Sequence, residues 1–416
     1  MKKSNKLTVY IVIAMVAGAI LGYFIHEGKD QATIDSFAKN VKLFTTIFLR
    51  LVQMIIAPLV FTTLVVGIAK LGDLKTVGRV GGKALLWFVT ASLMSLLIGL
   101  VLVNLFKPGE GMDLSVAADK SGVQDLMGKT QSFSVINFVE HVFPKSMIEA
   151  MANNEILQIV IFSIFFGVAA AAIGEPAKGF IKALDTIAHI ILKMVGYVMN
   201  FAPLGVFGAI AAVIATKGLA IFIFYGKYLL YFLIGIGTLW AVLLGVGFLI
   251  LRNRVPVLLK HITTPLVIAF STTSSEAVFP KLTEELEKFG CKDKIVSFIL
   301  PLGYSFNLDG SMMYMTFASM AIAQAYGIHL DIGTQLTMLI VLMLTSKGIA
   351  GVPRASLVVV TATCAMFHIP PEGIALILPI DHFCDMFRSA TNVLGNSLAT
   401  TVVSKWEGAL EEPAHS

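Results

Sequence analysis

The chain has 416 residues, of which 56% are hydrophobic and only 14% charged, with a formal net charge of +5. Soluble domains are about 25% charged, so this composition argues against a soluble globular enzyme and against a disordered or fibrous chain. Three cysteines, Cys291, Cys364 and Cys384, are too few and too scattered for a disulfide framework or a zinc site.

A helix needs about 20 apolar residues to cross about 30 Å of hydrocarbon. Residues 7–25 carry no charge and meet that length, behind Lys2, Lys3 and Lys6. The run exceeds a signal-peptide core and lacks a small-residue exit, so it reads as a retained span with its basic end in the cytoplasm. Further apolar runs fall at 44–69, 84–106, 155–173, 179–215, 219–251 and 295–325. Lys70, Lys75, Arg79 and Lys83 face a single Asp73 in one connection, and Arg252, Arg254 and Lys260 meet no acid in another. Such basic loops read as cytoplasmic. The 107–155 stretch carries Glu110, Asp113, Asp119, Asp125, Glu140, Glu149 and Glu155 against four lysines, so it reads as an external loop. Residues 406–416 are polar and are expected to fray as a tail.

The last third is different. Apolar stretches at 256–290, 334–369 and 371–405 are interrupted by polar residues. Backbone that leaves helical geometry at membrane depth strands its N–H and C=O groups unless protein, water or ligand satisfies them. Four clusters do this: Ser271 to Glu276, Asn307 to Ser311, Ser346 to Arg354, and Asp381 to Asn396. The first and third lie mid-segment, which predicts two re-entrant helical hairpins. Hairpin then span, twice over, suggests an inverted repeat whose unwound parts converge on a midplane binding site.

Asp309, Asp381, Asp385 and Arg388 sit in otherwise apolar surroundings. A charge at the bilayer centre costs roughly 2.5–3.5 kcal/mol even on insertion scales. Asp381, Asp385 and Arg388 are spaced by four and three, and Asn392 continues the same helical face. A purely structural Asp385–Arg388 pair is one reading, but it does not account for the broken backbones. A ligand does. Arg388 suits a carboxylate, Asp385 suits an ammonium, and Asn392 with hairpin N–H groups suits a second carboxylate. One ammonium and two carboxylates describe aspartate or glutamate. A dicarboxylate without an amine leaves Asp385 unpaired and repelling it.

Other signals fail on spacing. Gly122 to Thr130 has five residues between its glycines where a phosphate-binding loop has four, and no strand precedes it. Ser346 and Lys347 are adjacent, so on a helix they point apart and make no catalytic pair.

With these residues in view, the chain resembles the dicarboxylate/amino acid:cation symporter family, the relatives of the excitatory amino-acid transporters. It looks most like the bacterial glutamate/aspartate:proton symporters. The resemblance covers nearly the whole chain and rests on Ser274-Ser275 with Pro280, Asn307-Leu308-Asp309-Gly310, Gly348 to Pro353, and Asp385 to Asn392. It implies an all-α membrane protein of eight transmembrane helices plus two re-entrant hairpins, built as inverted repeats, forming a homotrimer and working as an elevator. The implied division runs as follows: scaffold helices 1–2 in 1–75 and transport-domain helix 3 in 76–107; then 108–251, with the external loop, scaffold helices 4–5 and transport-domain helix 6 (219–251). Hairpin 1 occupies 252–295, helix 7 296–326, hairpin 2 327–369, helix 8 370–405, and a cytoplasmic tail 406–416. Both termini are expected in the cytoplasm of a bacterial cell.

The resemblance also implies roles. Ser274 and Ser275 fall at the first hairpin tip, Ser311 after the Asn-Leu-Asp-Gly break, and Gly351, Val352 and Pro353 at the second tip. Asp385 holds the amine and Arg388 the side-chain carboxylate, with Ser389 and Asn392 adding polar contacts. A cation site would draw on Gly303, Asn307, Asp309, Asn392 and Asn396. Sodium-coupled members carry Asp where this chain has Asn396, and Thr-Ser where Ala91-Ser92 aligns. Hard cations prefer carboxylate oxygen, so both departures weaken sodium binding. Glu276 adds a carboxyl in the first hairpin that can carry a proton. The reading therefore favours H+ over Na+ as coupling ion, with Asp309 as a second proton candidate and Arg354 as a gate partner for Glu276 or a snorkelling cation. The expected partners are a small acidic amino acid, membrane lipid and two further copies of the chain, with no nucleic acid and no cofactor. C4-dicarboxylate transport, sodium or mixed coupling, and an ion channel are the alternatives.

Overall fold

The computed structural model describes all residues except Met1, 72–73, 113, 115–142, 220–224, 347–354 and 412–416. Most of the acidic 107–155 stretch and the whole expected tip of hairpin 2, with Lys347, Gly351, Val352, Pro353 and Arg354, thus lie outside the described residues. Among the described residues every regular element is a helix, and the only strand-like contact is an isolated antiparallel bridge between Cys291 and Leu410.

Helix α1 spans Lys2–Gly28, α2 Gln31–Leu71 and α3 Leu74–Phe106. Asp30 starts α2 by accepting from the Thr33 amide at 3.3 Å and hydroxyl at 2.6 Å, the usual way a helix start satisfies a free N–H. The apolar run at 155–173 forms α4, Ile156–Ile173. The run at 179–215 is not one helix. It divides into α5 (Lys178–Met199) and α6 (Ala202–Lys217), which meet at 49°. Pro203 lies in the first turn of α6, where a missing N–H costs nothing. Helix α7 covers Gly226–Leu251.

The first hairpin consists of α8 (Arg254–Thr272) packed on α9 (Phe279–Phe289). Between them Thr273 adopts a left-handed conformation, φ 54°. The run at 295–325 breaks at the Asn307-Leu308 cluster into α10 (Asp293–Phe306) and α11 (Asp309–Ala325). Helices α12 (Ile332–Thr345) and α13 (Ala355–Met366) pack on each other and on α11. The last helix, α14, runs Asp381–Trp406.

Two packing groups emerge. Helix α2 packs against α4, α5 and α6, and α1 lies on α6. That contact is close because Gly18 and Gly22 face α6: an added Cβ would fall 2.8 Å from the Phe207 carbonyl oxygen and 2.7 Å from that of Ala211. Small residues one turn apart let apolar helices approach in this way. The opposite face of α1 is exposed and apolar, with Val9, Tyr10, Ile13, Val16 and Phe24 turned outward. Helix α14 packs against α7, α8, α10 and α11 and is buried continuously from Arg388 to Ser404. Six described helices are long and apolar enough to span a membrane, and seven if the bent α5–α6 pair counts as one span. This is an integral membrane protein.

The tail corrects an expectation. Residues 407–411 do not fray. The Lys292 amide donates to the Ala409 carbonyl at 3.1 Å and the Glu411 amide to that of Gly290 at 2.8 Å. Glu407 accepts from Arg79 at 2.9 Å and from Lys83 at 2.6 Å, and Trp406 meets Trp87 edge-on at 6.0 Å. Buried Ala409 and the two cations of α3 hold what its polarity alone would leave loose.

Candidate functional site

Helix α14 organises the site because its polar residues recur at helical spacing. Arg388 is 2% exposed. Its Nη2 lies 2.6 Å from Asp385 Oδ1 and 3.8 Å from Asp381 Oδ1, and its Nε donates to Asp385 Oδ1 at 3.2 Å. Its guanidinium carbon stands 4.2 Å from the centre of the Tyr314 ring, a distance at which ring and cation attract. The Tyr314 hydroxyl donates to Asp381 Oδ1 at 2.8 Å. The Asp385–Arg388 ion pair weighed from the sequence therefore exists, within a wider network. Arg388 Nη1 keeps no protein partner among the described residues, so one edge of the fork stays open to a ligand.

One turn on, Asn392 joins α14 to the start of α11. Its Oδ1 accepts from the Gly310 amide at 2.9 Å and the Ser311 amide at 3.3 Å, and its Nδ2 donates to Ser311 Oγ at 3.2 Å. Its amide thus holds the start of α11, two backbone amides and the Ser311 hydroxyl, rather than reaching outward. Gly310 permits this approach, since a Cβ there would fall 2.5 Å from the Arg388 carbonyl oxygen and 2.8 Å from Thr391 Cβ. Ser389 is buried on the same helix.

A second cluster surrounds the α10–α11 break. Asn307 Nδ2 donates to Asp309 Oδ2 at 3.0 Å, and Ser95 Oγ to Asp309 Oδ1 at 3.4 Å. The hydroxyl on Asp309 comes from Ser95, one turn beyond Ala91-Ser92; Ser92 donates instead to the Phe306 carbonyl at 3.4 Å. Around this core five buried polar atoms have no protein partner among the described residues: Tyr304 Oη, Ser305 Oγ, Asn307 Oδ1, and Oδ1 and Nδ2 of Asn396. Asn396 packs directly on Gly303. No three His, Cys, Asp or Glu side chains converge among the described residues. A cation here would depend on Asp309, the oxygens of Asn307 and Asn396, and backbone carbonyls, all hard donors.

At the first hairpin tip, Ser274 Oγ accepts from the Ala277 amide at 3.2 Å. Ser275 is buried and Glu276 half-buried. The second tip, with Gly351, Val352, Pro353 and Arg354, lies outside the described residues. Sequence reasoning missed Tyr314, Tyr304, Ser95 and Trp240, whose Nε1 donates to Thr391 Oγ1 at 2.8 Å. The available signal was a tyrosine one turn after Ser311 in a segment already marked as polar-lined. Two apolar crevices of about 430 and 330 Å³ share Met15, Leu233, Phe270 and Phe387; their apolar lining cannot recognise a charged solute.

Comparison with known proteins shows the family. Residues 7–406 match the family model of the sodium:dicarboxylate symporter family. The chain is 40% identical over 418 residues to a C4-dicarboxylate transport protein of Acinetobacter baylyi, covering 97% of this chain and 91% of that one. It is 38% identical over 418 residues to a C4-dicarboxylate transport protein of Bacillus subtilis, covering 99% and 96%. It is 39% identical over 406 residues to a proton/sodium-glutamate symport protein of Geobacillus stearothermophilus, covering 97% and 94%.

Proposed function

Because the chain belongs to the sodium:dicarboxylate symporter family, we propose that it takes up acidic amino acids, glutamate or aspartate, in symport with protons. It is a transporter and not an enzyme. The observation that carries the substrate reading is the Asp385–Arg388 contact at 2.6 Å. A zwitterion with a second carboxylate exchanges that internal pair for two external ones: its ammonium takes Asp385 and a carboxylate takes Arg388. The exchange keeps the charge balanced in a poorly hydrated place. A C4-dicarboxylate takes Arg388 but leaves Asp385 facing another anion. The second reading, C4-dicarboxylate symport, has the names of the Acinetobacter and Bacillus subtilis relatives in its favour. Sodium or mixed coupling has that of the Geobacillus relative.

Proton coupling is supported by Glu276, a half-buried carboxyl at the first hairpin tip, and by a neutral amide, Asn396, where a carboxylate would favour sodium. In this reading α1, α2 and α4–α6 form a trimeric scaffold. Helices α3, α7, α10–α11 and α14 with both hairpins form the moving body, giving eight spans and two re-entrant hairpins. The packing of α2 on α4, α5 and α6, and of α14 on α7, α8, α10 and α11, supports that division, with α2 also packing on α10 where the two bodies meet. Both termini face the cytoplasm of a bacterial cell.

The test is uptake of radiolabelled aspartate into proteoliposomes under separately imposed proton and sodium gradients, with succinate as competitor. A proton gradient alone is expected to drive accumulation, and excess succinate to compete poorly. Accumulation only with a sodium gradient overturns the coupling. Succinate competing as well as aspartate overturns the substrate.

A further inference from the structure

The two apolar crevices adjoin through Met15, Leu233, Phe270 and Phe387 and measure about 430 and 330 Å³. Their walls come from α1, α6, α7, α8 and α14. Phe270 and Phe387 form one wall, with ring centroids 4.9 Å apart and planes at 83°, and Ser271 Oγ of α8 reaches the Met15 sulfur at 3.7 Å. Among the described lining side chains only the Trp240 indole carries an N–H or O–H, and Thr391 Oγ1 accepts it at 2.8 Å. A space so lined stays dry and offers a polar ligand nothing to bind.

The opening decides what can enter. Val12 of α1 and Leu233 of α7 line the larger crevice and are themselves exposed. They continue the outward apolar surface of Val9, Ile13 and Val16 on α1 and of Leu230 and Ile234 on α7. Met15 lies within Val9–Gly28 and Trp240 near the middle of Gly226–Leu251, the spanning parts of those helices, so the mouth opens at the depth of the bilayer hydrocarbon. One turn of helix with its side chains fills roughly 400–600 Å³, so neither crevice admits a spanning helix of another copy. A methylene chain is narrower, asks for no polar partner and follows an irregular channel, and the flexible side chains of Met15 and Met386 can adapt to it.

We propose that this crevice is a binding site for an acyl chain of a membrane phospholipid. An unfilled apolar void forfeits the dispersion contacts of its lining, and a seated chain restores them. Its place gives the site its interest. Helix α1 packs on α6, while α7 and α8 pack on α14, so the chain lies where the two packing groups meet. Phe387 and Ala390 line the larger crevice and flank Arg388 and Ser389 in the sequence of α14, so the chain packs on the turn that carries Arg388. The site stands whichever solute and ion the protein carries.

The experiment uses the full chain carrying Trp87→Phe and Trp406→Phe, which leaves Trp240 as its one indole. The protein is reconstituted in vesicles of phosphatidylethanolamine and phosphatidylglycerol whose acyl chains carry bromine at mid-chain, and in the same lipids without bromine. Bromine quenches indole fluorescence only on close approach. Gly237→Leu fills the mouth of the crevice: a Cβ at Gly237 meets nothing within 4 Å, so the side chain enters without moving backbone, and leucine favours the helix over glycine. Gly245→Leu, equally unobstructed on the same helix but away from the crevice, is the control. Brominated lipid is expected to quench Trp240 strongly, Gly237→Leu to lose most of that quenching, and Gly245→Leu to keep it. Little quenching in the parent protein means that something other than lipid covers the crevice, a second copy included, and overturns the site. Quenching that Gly237→Leu leaves unchanged reports contact with bulk hydrocarbon only, and overturns it too.

Discussion

The two polar clusters on α14 sit within a few turns of each other and are built on opposite plans. Around Arg388 every charge has found a partner: Asp385 and Asp381 on the same helix, Tyr314 across from it. Around Asn396 the groups are mostly neutral, and several have no protein partner among the described residues. In a poorly hydrated interior an unpaired charge is costly, so charges close on one another. Neutral amides and hydroxyls cost less when left open and can stay available to a small ion or proton. In the proposed reading the first cluster trades partners with the charged solute and the second responds to the coupling ion.

The largest effect should come from breaking the closed cluster. Arg388→Ala leaves buried Asp381 and half-buried Asp385 without the Arg388 guanidinium, at a cost on the order of 2–5 kcal/mol to substrate binding. Aspartate binding to purified, monodisperse protein should fall below detection; near-normal affinity would remove Arg388 from the site. Next comes Asp385→Ser, which keeps the carboxylate clamp and deletes the amine's partner. Aspartate affinity should fall about tenfold or more, the scale of one charged hydrogen bond, and succinate should become a better competitor. Unchanged selectivity would mean that the amine is read elsewhere.

The open cluster is sharpened by Asn396→Asp, which places a carboxylate next to Gly303 and among Asn307 Oδ1 and Ser305 Oγ, which have no protein partner among the described residues. Sodium should then stimulate uptake several-fold, measured as a sodium titration at fixed pH; a flat response would separate this cluster from cation binding. The smallest effect is expected outside both clusters, at the docked tail. Burial pushes the Glu407 carboxyl up, but hydrogen bonds from Arg79 and Lys83 outweigh it and hold it below the usual range. A carboxyl depressed in the folded protein adds stability that is present above the ordinary glutamate value and is lost as pH falls through the folded one. Glu407→Gln should therefore lower the melting temperature at neutral pH, by about 1 kcal/mol of stability, and the two proteins should converge in acid.

What the sequence made legible was whatever repeats locally. Uncharged runs of spanning length gave the helices, and the four-three-four spacing from Asp381 to Asn392 gave the polar face of α14. The Asn307-Leu308 break was legible because a polar pair interrupts an apolar run. The bend at Asn200-Phe201 was not, since hydropathy does not register a turn inside an apolar stretch. Nor were the contacts made at long range: Ser95 on Asp309, Trp240 on Thr391, Tyr314 on Asp381. Asn392 shows a third kind of gap. Its face was read correctly, but its amide binds the start of α11, which only the assembled helices reveal.

The interruption between α10 and α11 has a further consequence, seen in the direction of the peptide dipoles. A helix end carries roughly half an elementary charge, negative at the C-terminus and positive at the N-terminus. The C-terminal end of α10 lies among Tyr304, Ser305 and Asn307, and the N-terminal end of α11 is drawn onto Asn392. One two-residue gap therefore presents a negative pole to the open cluster around Asn396 and a positive pole to Asn392, one turn from Arg388. Because the same joint carries both poles, a shift of either helix changes the field at both clusters together. In the proposed reading, ion and solute are coupled through the orientation of two short helices, without a wire of side chains running between them.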